Sequence, residues 1–333
     1  MSATRSLDRT LKSPAFVLPG KEISYSSGSL LDIEGLAVDE MKAILKLALK
    51  MEQARGNKAS RRNLGNRFSG RRVALLFYET STRTRVSFEF ASKTLGATTT
   101  IISATTSSIE KGESLLDTGY TLRALGADAI VIRHPSSGAA HTMAQHIGLP
   151  VINAGDGMHE HPSQALLDAF TILKHRKSLT GLKFALVGDI FHSRVARSNI
   201  HLLSKMGAQV ILCGPSALLP EVATTLAPGL VLERNMEKAI SDADVIMMLR
   251  IQKERLAGLH LNPQEYIAKY QLTSERQAMA KRDALVMHPG PMIRGMEITG
   301  EVADGVRSAI LEQVANGVSV RMAILARALE AKQ

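Results

Sequence analysis

The sequence predicts an α/β protein of two domains, each a mostly parallel sheet flanked by helices. Short apolar runs alternate with longer amphipathic segments along the chain, the pattern left by parallel strands joined through crossover helices. At 333 residues the chain exceeds the size at which one hydrophobic core usually keeps growing. The alternation also falls into two successive series, which gives two halves of the same class.

The elements follow in order. After a polar lead, Met41 to Met51 carries apolar residues at helical spacing. Strands are expected at Val73 to Phe77, Thr99 to Ile102, Ala129 to Ile132 and Val151 to Ile152, with helices between them. His161 to His175 reads as a helix leading out of the first half. A second series begins with Lys183 to Val187 and continues through Gln209 to Leu212, Val245 to Leu249 and Leu285 to Met287. Val306 to Leu329 is helical throughout and long enough to return to the first half. The expected division is residues 1–165 with 306–333, and 166–305. No repeat of solenoid length and no low-complexity tract interrupts it.

Composition excludes several classes. A hydrophobic content of 45% without a long apolar run argues against a membrane span. The start, MSATRSLDRTLKSP, has no apolar h-region, so a cytoplasmic home is expected. The single cysteine, Cys213, has no partner for an internal disulfide, in keeping with a reducing compartment. A net charge of +10 invites a nucleic-acid reading, with Lys58 to Arg72 (KASRRNLGNRFSGRR) as the densest basic stretch. Aromatics at 4%, no tryptophan and no nucleic-acid signature argue against it, and that stretch reads as a solvated loop ahead of a strand. Positive charge also suits an enzyme whose small substrates are anions.

Ligands of open α/β sheets bind beyond the carboxyl ends of strands, and the unusual polar clusters sit there. In FYETSTRTRVSFE, Thr80, Ser81, Thr82 and Thr84 crowd around Arg83 and Arg85. A strand turning into a helix start offers free backbone N–H groups and a positive dipole end, to which hydroxyls and a guanidinium fork add bonds to anionic oxygen. No GxxxxGK[ST] loop accompanies it, so a nucleoside triphosphate is not the expected phosphate. One hydroxyl would suffice to cap the helix, and four exceed that need. Arg133 with His134, and His161 with Gln164, open further donor sets that can stabilise developing negative charge. For His159 and His161 a metal is the alternative, with Asp156 as third ligand, although no second cluster with ligand spacing accompanies them. SSIEKGES, Ser107 to Ser114, reads on composition as solvent-facing loop, yet Lys111 suits a compact contact to phosphate or carboxylate. In the second half, LVGDIFHSR has one glycine where GxGxxG is needed, which argues against a nicotinamide cofactor. Arg194, Arg250, Gln252 and Arg255 are donors only and suit a small dicarboxylate.

STRTR, SSxxKGE, RHP, HPSQ, VGDxxxxR, RxQxER and HPGP occur in that order. On these motifs the chain, from Leu31 to Ala328, resembles the aspartate/ornithine carbamoyltransferase family. The resemblance implies a carbamoyl phosphate-binding domain over 1–165 with 306–333 and an aspartate-binding domain over 166–305. It implies transfer of the carbamoyl group of carbamoyl phosphate to L-aspartate in pyrimidine synthesis, without cofactor or metal. Ser81, Thr82, Arg83 and Thr84 would hold the phosphate. Thr84, Arg133 and His161 would donate to the carbonyl oxygen, and Gln164 with the backbone of Pro289 and Gly290 would orient the carbamoyl amide. Ser107 and Lys111 would come from a neighbouring subunit, placing the site between chains of a homotrimer. Arg194 would take the α-carboxylate of aspartate and Arg250 with Gln252 the β-carboxylate, while Lys111 and Arg133 touch both substrates. Arg85 and Arg255 would brace loops through ion pairs, for instance with Glu79. A regulatory chain or dihydroorotase are further partners the family allows. The ornithine branch carries an HCLP loop and a DxxxSMG segment where this chain has HPGP and LRIQKER. Arginine facing an ammonium would repel it. The lead before Leu31 and the Lys58 to Arg72 stretch are longer than the family needs.

Overall fold

A computed structural model describes residues 25–103, 112–251 and 262–331. In the first half, helices α1 (Val38–Gly56) and α2 (Lys58–Asn66) precede β1 (Arg72–Phe77), α3 (Thr82–Thr94), β2 (Thr98–Ser103), α4 (Leu115–Ala124), β3 (Ala129–His134), α5 (Ala139–Ile147) and β4 (Val151–Asp156). Helix α6 (Pro162–His175) then leads to β5 (Lys183–Val187), α7 (Arg194–Lys205), β6 (Gln209–Cys213), β7 (Val231–Leu232), α8 (Met236–Ile240) and β8 (Val245–Met248). Helices α9 (Pro263–Tyr270) and α10 (Ser274–Gln277), β9 (Leu285–Met287), α11 (Gly300–Asp304) and α12 (Ile310–Glu330) complete the order.

The strands form two sheets, β2-β1-β3-β4 and β7-β6-β5-β8-β9, and every named pairing is parallel. Burial on both faces explains why the sequence reads as unbroken apolar runs: Val73 to Phe77 of β1 and Val245 to Met248 of β8 are buried throughout. In the first sheet the chain proceeds outward from β1 to β2 and then crosses to β3 on the other side. In the second it does the same between β5 and β8. Each sheet therefore has a switch point where adjacent loops diverge and leave a crevice.

One apolar cluster joins Leu75 and Val131 of the first sheet, Leu166 of α6, Phe184 and Leu212 of the second sheet, and Ile324 and Leu325 of α12. Helix α12 packs against α1, α3 and α6. Helix α6 is buried from Pro162 to Ile172, so its polar residues face protein. No helix among the described residues is long and apolar enough to cross a membrane.

Two expected elements differ. Lys58 to Asn66 is helical where a loop is expected from its Gly and Asn content. The Asn57 side chain accepts the N–H groups of Ala59 and Ser60, and buried Leu64 anchors the otherwise solvated turns. The last helix begins at Ile310, not Val306. Ala309 donates its N–H to Val286 O at 2.8 Å and Ser308 bridges Val286, so these residues are committed to the β9 edge before the helix can start. Strands β3 and β4 also extend beyond the apolar runs, to His134 and Asp156.

Leu325 is fully buried in the shared cluster, whereas Val306 is fully exposed. Leu325→Ala should lower unfolding free energy by about 2–5 kcal/mol, while Val306→Ala should change it by less than about 0.5 kcal/mol. Denaturant midpoints measure both, and equal small effects would contradict the packing of α12.

Candidate active site

A cavity of about 450 Å³ opens between the carboxyl ends of the two sheets. The first half contributes Ser81, Thr82, Arg83, Thr84, Arg133, His161 and Gln164 to its wall. The second contributes Arg194, Arg250, Pro289 and Gly290, and α12 adds Gln313 and Arg321. Ser107, Lys111, Gln252 and Arg255 lie outside the described residues.

The anion end is built by the turn from β1 into α3. Ser81 occupies the N-cap position but its side chain makes no capping bond, and Ser81, Thr82, Arg83 and Thr84 all line the cavity. Thr84, buried one turn in, places Oγ1 3.5 Å from His161 Nε2. Arg83 leans across to the other half: a Cβ on Gly290 would lie 2.7 Å from the Arg83 guanidinium carbon. Gly290 has φ +68°, so both the close approach and the left-handed backbone require glycine there.

Arg133 ends β3 and Arg194 begins α7, and they converge on one carboxylate. Glu79 Oε2 is 3.2 Å from Arg133 Nε and 2.5 Å from Arg194. The expected ion pair of Glu79 with Arg85 is therefore corrected: its partners are the two cavity arginines, one from each half. Gly155 makes their approach possible, since a Cβ there would sit 3.1 Å from Arg194 Nε and 3.3 Å from an Arg133 nitrogen. Arg194 Nη1 is buried without a hydrogen-bond partner, a donor that an anion in the cavity can satisfy.

The field inside is strongly positive. Burial, then the charges of Arg133, Arg321 and Arg194, hold the His161 imidazolium well below its usual range, so the ring is neutral. Burial lowers Arg133 to about 10 and Arg321 to about 10, which leaves both cationic at neutral pH. Arg321 also lies 5.1 Å over the Phe88 ring.

A buried polar chain fixes the wall. Gln164 and Gln313 donate to Asp168 Oδ1 at 2.9 and 2.7 Å, and Asn199 donates to Oδ2 at 2.9 Å. Gln313 accepts the N–H of His288 at 2.9 Å. His288 Nδ1 accepts Gly290 N–H at 2.8 Å, so the opposite nitrogen carries the proton toward Glu297 at 3.0 Å. The HPGP loop, α12 and α6 thus hold one another through Gln164 and through Asp168, Asn199, Gln313 and Glu297, which sequence reasoning did not single out. Burial raises Asp168 to about 6, leaving it mostly ionised at neutral pH opposite Arg321.

The geometry brings together the hydroxyl cluster, Arg83, Arg133, His161, Gln164, Arg194, Arg250, Pro289 and Gly290, but not His134, whose Nδ1 accepts the N–H of Ser136 at 2.9 Å and whose ring packs on Tyr78. It separates the residues of the alternative metal reading. His161 faces Thr84 and the cavity, whereas His159 Nδ1 lies 3.1 Å from both Asp156 oxygens. Arg321 was missed; its only signal is a lone arginine inside the apolar run VSVRMAIL.

Known proteins are similar to this chain across both halves. The family described as aspartate/ornithine carbamoyltransferase, carbamoyl-P binding domain, matches residues 29–174, and its Asp/Orn binding domain matches residues 180–328. The aspartate carbamoyltransferase catalytic subunit of Koribacter versatilis is 62% identical over 297 residues, covering 89% of this chain and 95% of that one. That of Solibacter usitatus is 52% identical over 300 residues, covering 90% and 98%. Among solved structures, aspartate transcarbamoylase from Trypanosoma cruzi in complex with N-(phosphonacetyl)-L-aspartic acid superposes with TM-score 0.80 at 31% identity, over 92% of this chain and 97% of that one. Ornithine carbamoyltransferase from Pyrococcus furiosus superposes with TM-score 0.81 at 29% identity, over 92% and 99%. With both domains matched and relatives this similar over nearly their whole length, the chain belongs to the aspartate/ornithine carbamoyltransferase family.

Proposed function

We propose that the chain transfers the carbamoyl group of carbamoyl phosphate to the amine of L-aspartate, giving N-carbamoyl-L-aspartate and phosphate in pyrimidine synthesis. The observation that carries this is the convergence of Arg83 and Arg133 from one half with Arg194 and Arg250 from the other on a single cavity. Two anions fit such a wall, and a cationic acceptor such as ornithine would meet repulsion. The sequence relatives named for the aspartate reaction are much closer than the superposed ornithine enzyme.

The phosphate lies at the start of α3 against Ser81, Thr82, Arg83 and Thr84. Arg133, His161 and Thr84 surround the carbonyl oxygen, and a neutral His161 ring acts as a hydrogen-bond donor there. The neutral aspartate amine attacks the carbonyl carbon. As the N–C bond forms, the oxygen gains charge against those donors, each contributing about 3–4 kcal/mol by analogy with other oxyanion sites. The C–O bond to phosphate then breaks, and the amine proton leaves with phosphate. No protein nucleophile takes part. Gln164, held by Asp168, and the backbone of Pro289 and Gly290, held by His288, orient the carbamoyl amide. Arg194 takes the α-carboxylate and Arg250, with Gln252, the β-carboxylate. Glu79 occupies Arg133 and Arg194 as a carboxylate does, so substrate binding exchanges one anion for another at those guanidiniums.

The proposal includes a cytoplasmic homotrimer in which Ser107 and Lys111 reach a neighbour's cavity and Lys111 contacts both substrates. Phe90 of α3, Ile101 at the β2 edge and Tyr120 of α4 are large apolar side chains exposed on the elements flanking that segment, which supports a subunit contact there. A regulatory chain or dihydroorotase would add to this trimer.

Steady-state kinetics separate the roles. Arg83→Ala should abolish carbamoyl phosphate-side binding, whereas Arg250→Ala should raise the aspartate KM about 10- to 100-fold with phosphate-side binding retained. Equal effects of both changes on both substrates would contradict the division. Mixing and refolding equal amounts of inactive Arg83→Ala and Lys111→Ala chains should recover about a quarter of wild-type activity, because each mixed trimer then contains one intact shared site. No recovery would contradict the shared site.

A further inference from the structure

We propose that His141, His159 and Asp156 form a binding site for a divalent transition metal, of the zinc, cobalt or nickel kind, on the outer side of the segment that presents His161. One ring nitrogen of each histidine and one Asp156 oxygen lie within 4.8 Å of one another. Ligands of a tetrahedral zinc stand about 3.3 Å apart, given bonds of about 2.0 Å, so modest ring rotations close the set around an ion.

The surroundings suit a metal better than a simple histidine–carboxylate pair. His141 Nε2 lies 2.7 Å from Asp32 Oδ2, which places its proton on that nitrogen and leaves a lone pair on Nδ1. That Nδ1 is buried and has no hydrogen-bond partner. A buried acceptor left unsatisfied is costly, and a cation satisfies it. The Asp32–His141 contact is the carboxylate–histidine arrangement that orients metal-bound imidazoles elsewhere. Asp156 is held by Gly138 N–H at 2.7 Å and Asn153 Nδ2 at 2.7 Å, so its carboxylate is fixed before an ion arrives. The two histidine rings stand 5.5 Å apart, centroid to centroid, at 68°. Their side chains remain 25% and 30% exposed, enough for water to complete the coordination. Two imidazoles with one carboxylate favour borderline transition ions over magnesium or calcium, and Asp32 with Asp156 balances the double positive charge.

The ion would tie α5 to the end of β4 and to the following loop. Asp156 also accepts Glu160 N–H at 3.2 Å, next to His161, so the ion supports the loop without entering the reaction. This inference stands whether or not the proposed reaction is correct.

The full chain, stripped with chelator, is titrated with zinc by calorimetry and with cobalt by absorption spectroscopy. Wild type should bind one zinc per chain and develop the visible bands of tetrahedral cobalt. His159→Ala and His141→Ala should each weaken zinc binding at least about tenfold, and Asp32→Asn about 10- to 100-fold. Zinc should raise the melting temperature of wild type and not that of His159→Ala. If His141→Ala fails to fold, His159→Ala, altered at a partly exposed ring, carries the test. Absence of saturable binding in wild type, or equal binding in wild type and His159→Ala, would overturn the proposal.

Discussion

Arg133 and Arg194, brought from the two halves of the chain, share the carboxylate of Glu79, and the remaining architecture is organised around keeping such like charges together. Guanidiniums in a partly buried cavity repel one another and lose hydration. They stay close because the backbone beneath them is rigid and because an anion is always present, either Glu79 or a ligand. Burial, together with the same positive field, keeps His161 neutral, so the cavity provides a hydrogen-bond donor at a point where an imidazolium would add to the repulsion.

Topology supplies that rigidity. Both switch points open toward the same space, so side chains at the ends of β1, β3, β5 and β8 meet without long excursions of chain. The polar chain from Glu297 through His288 and Gln313 to Asp168 runs beneath the cavity and couples the HPGP loop, α12 and α6. Its members are buried and hydrogen-bonded, which gives a wall with little freedom to relax. Preorganised donors of this kind stabilise developing charge with little reorganisation during reaction.

Much of this was legible in the sequence, for a physical reason. Parallel strands buried on both faces leave apolar runs, so Val73 to Phe77 and Ala129 to Ile132 announced themselves, and the polar clusters behind them marked the crevice. What was not legible depended on long-range partners. Glu79 was paired with nearby Arg85, whereas Arg194 lies 115 positions away. Asp168 and Gln313 belong to a chain of contacts 145 positions apart, and nothing in either local pattern reveals that they face each other. His141 was overlooked because it arrives from α5, whereas His159 sits in the turn after β4. In Lys58 to Asn66, glycine and asparagine content suggested a loop, but the Asn57 cap and one buried leucine were sufficient for a helix.

The central claim is that one cavity holds two anions through donors from both halves, and calorimetry with N-(phosphonacetyl)-L-aspartate tests it most directly. Because the linked ligand engages both sets of donors at once, its affinity should exceed that of phosphate or of aspartate alone by about 100-fold or more, with one molecule bound per chain. Binding no tighter than phosphate alone would mean that the two halves do not grip a common ligand, and would contradict the account.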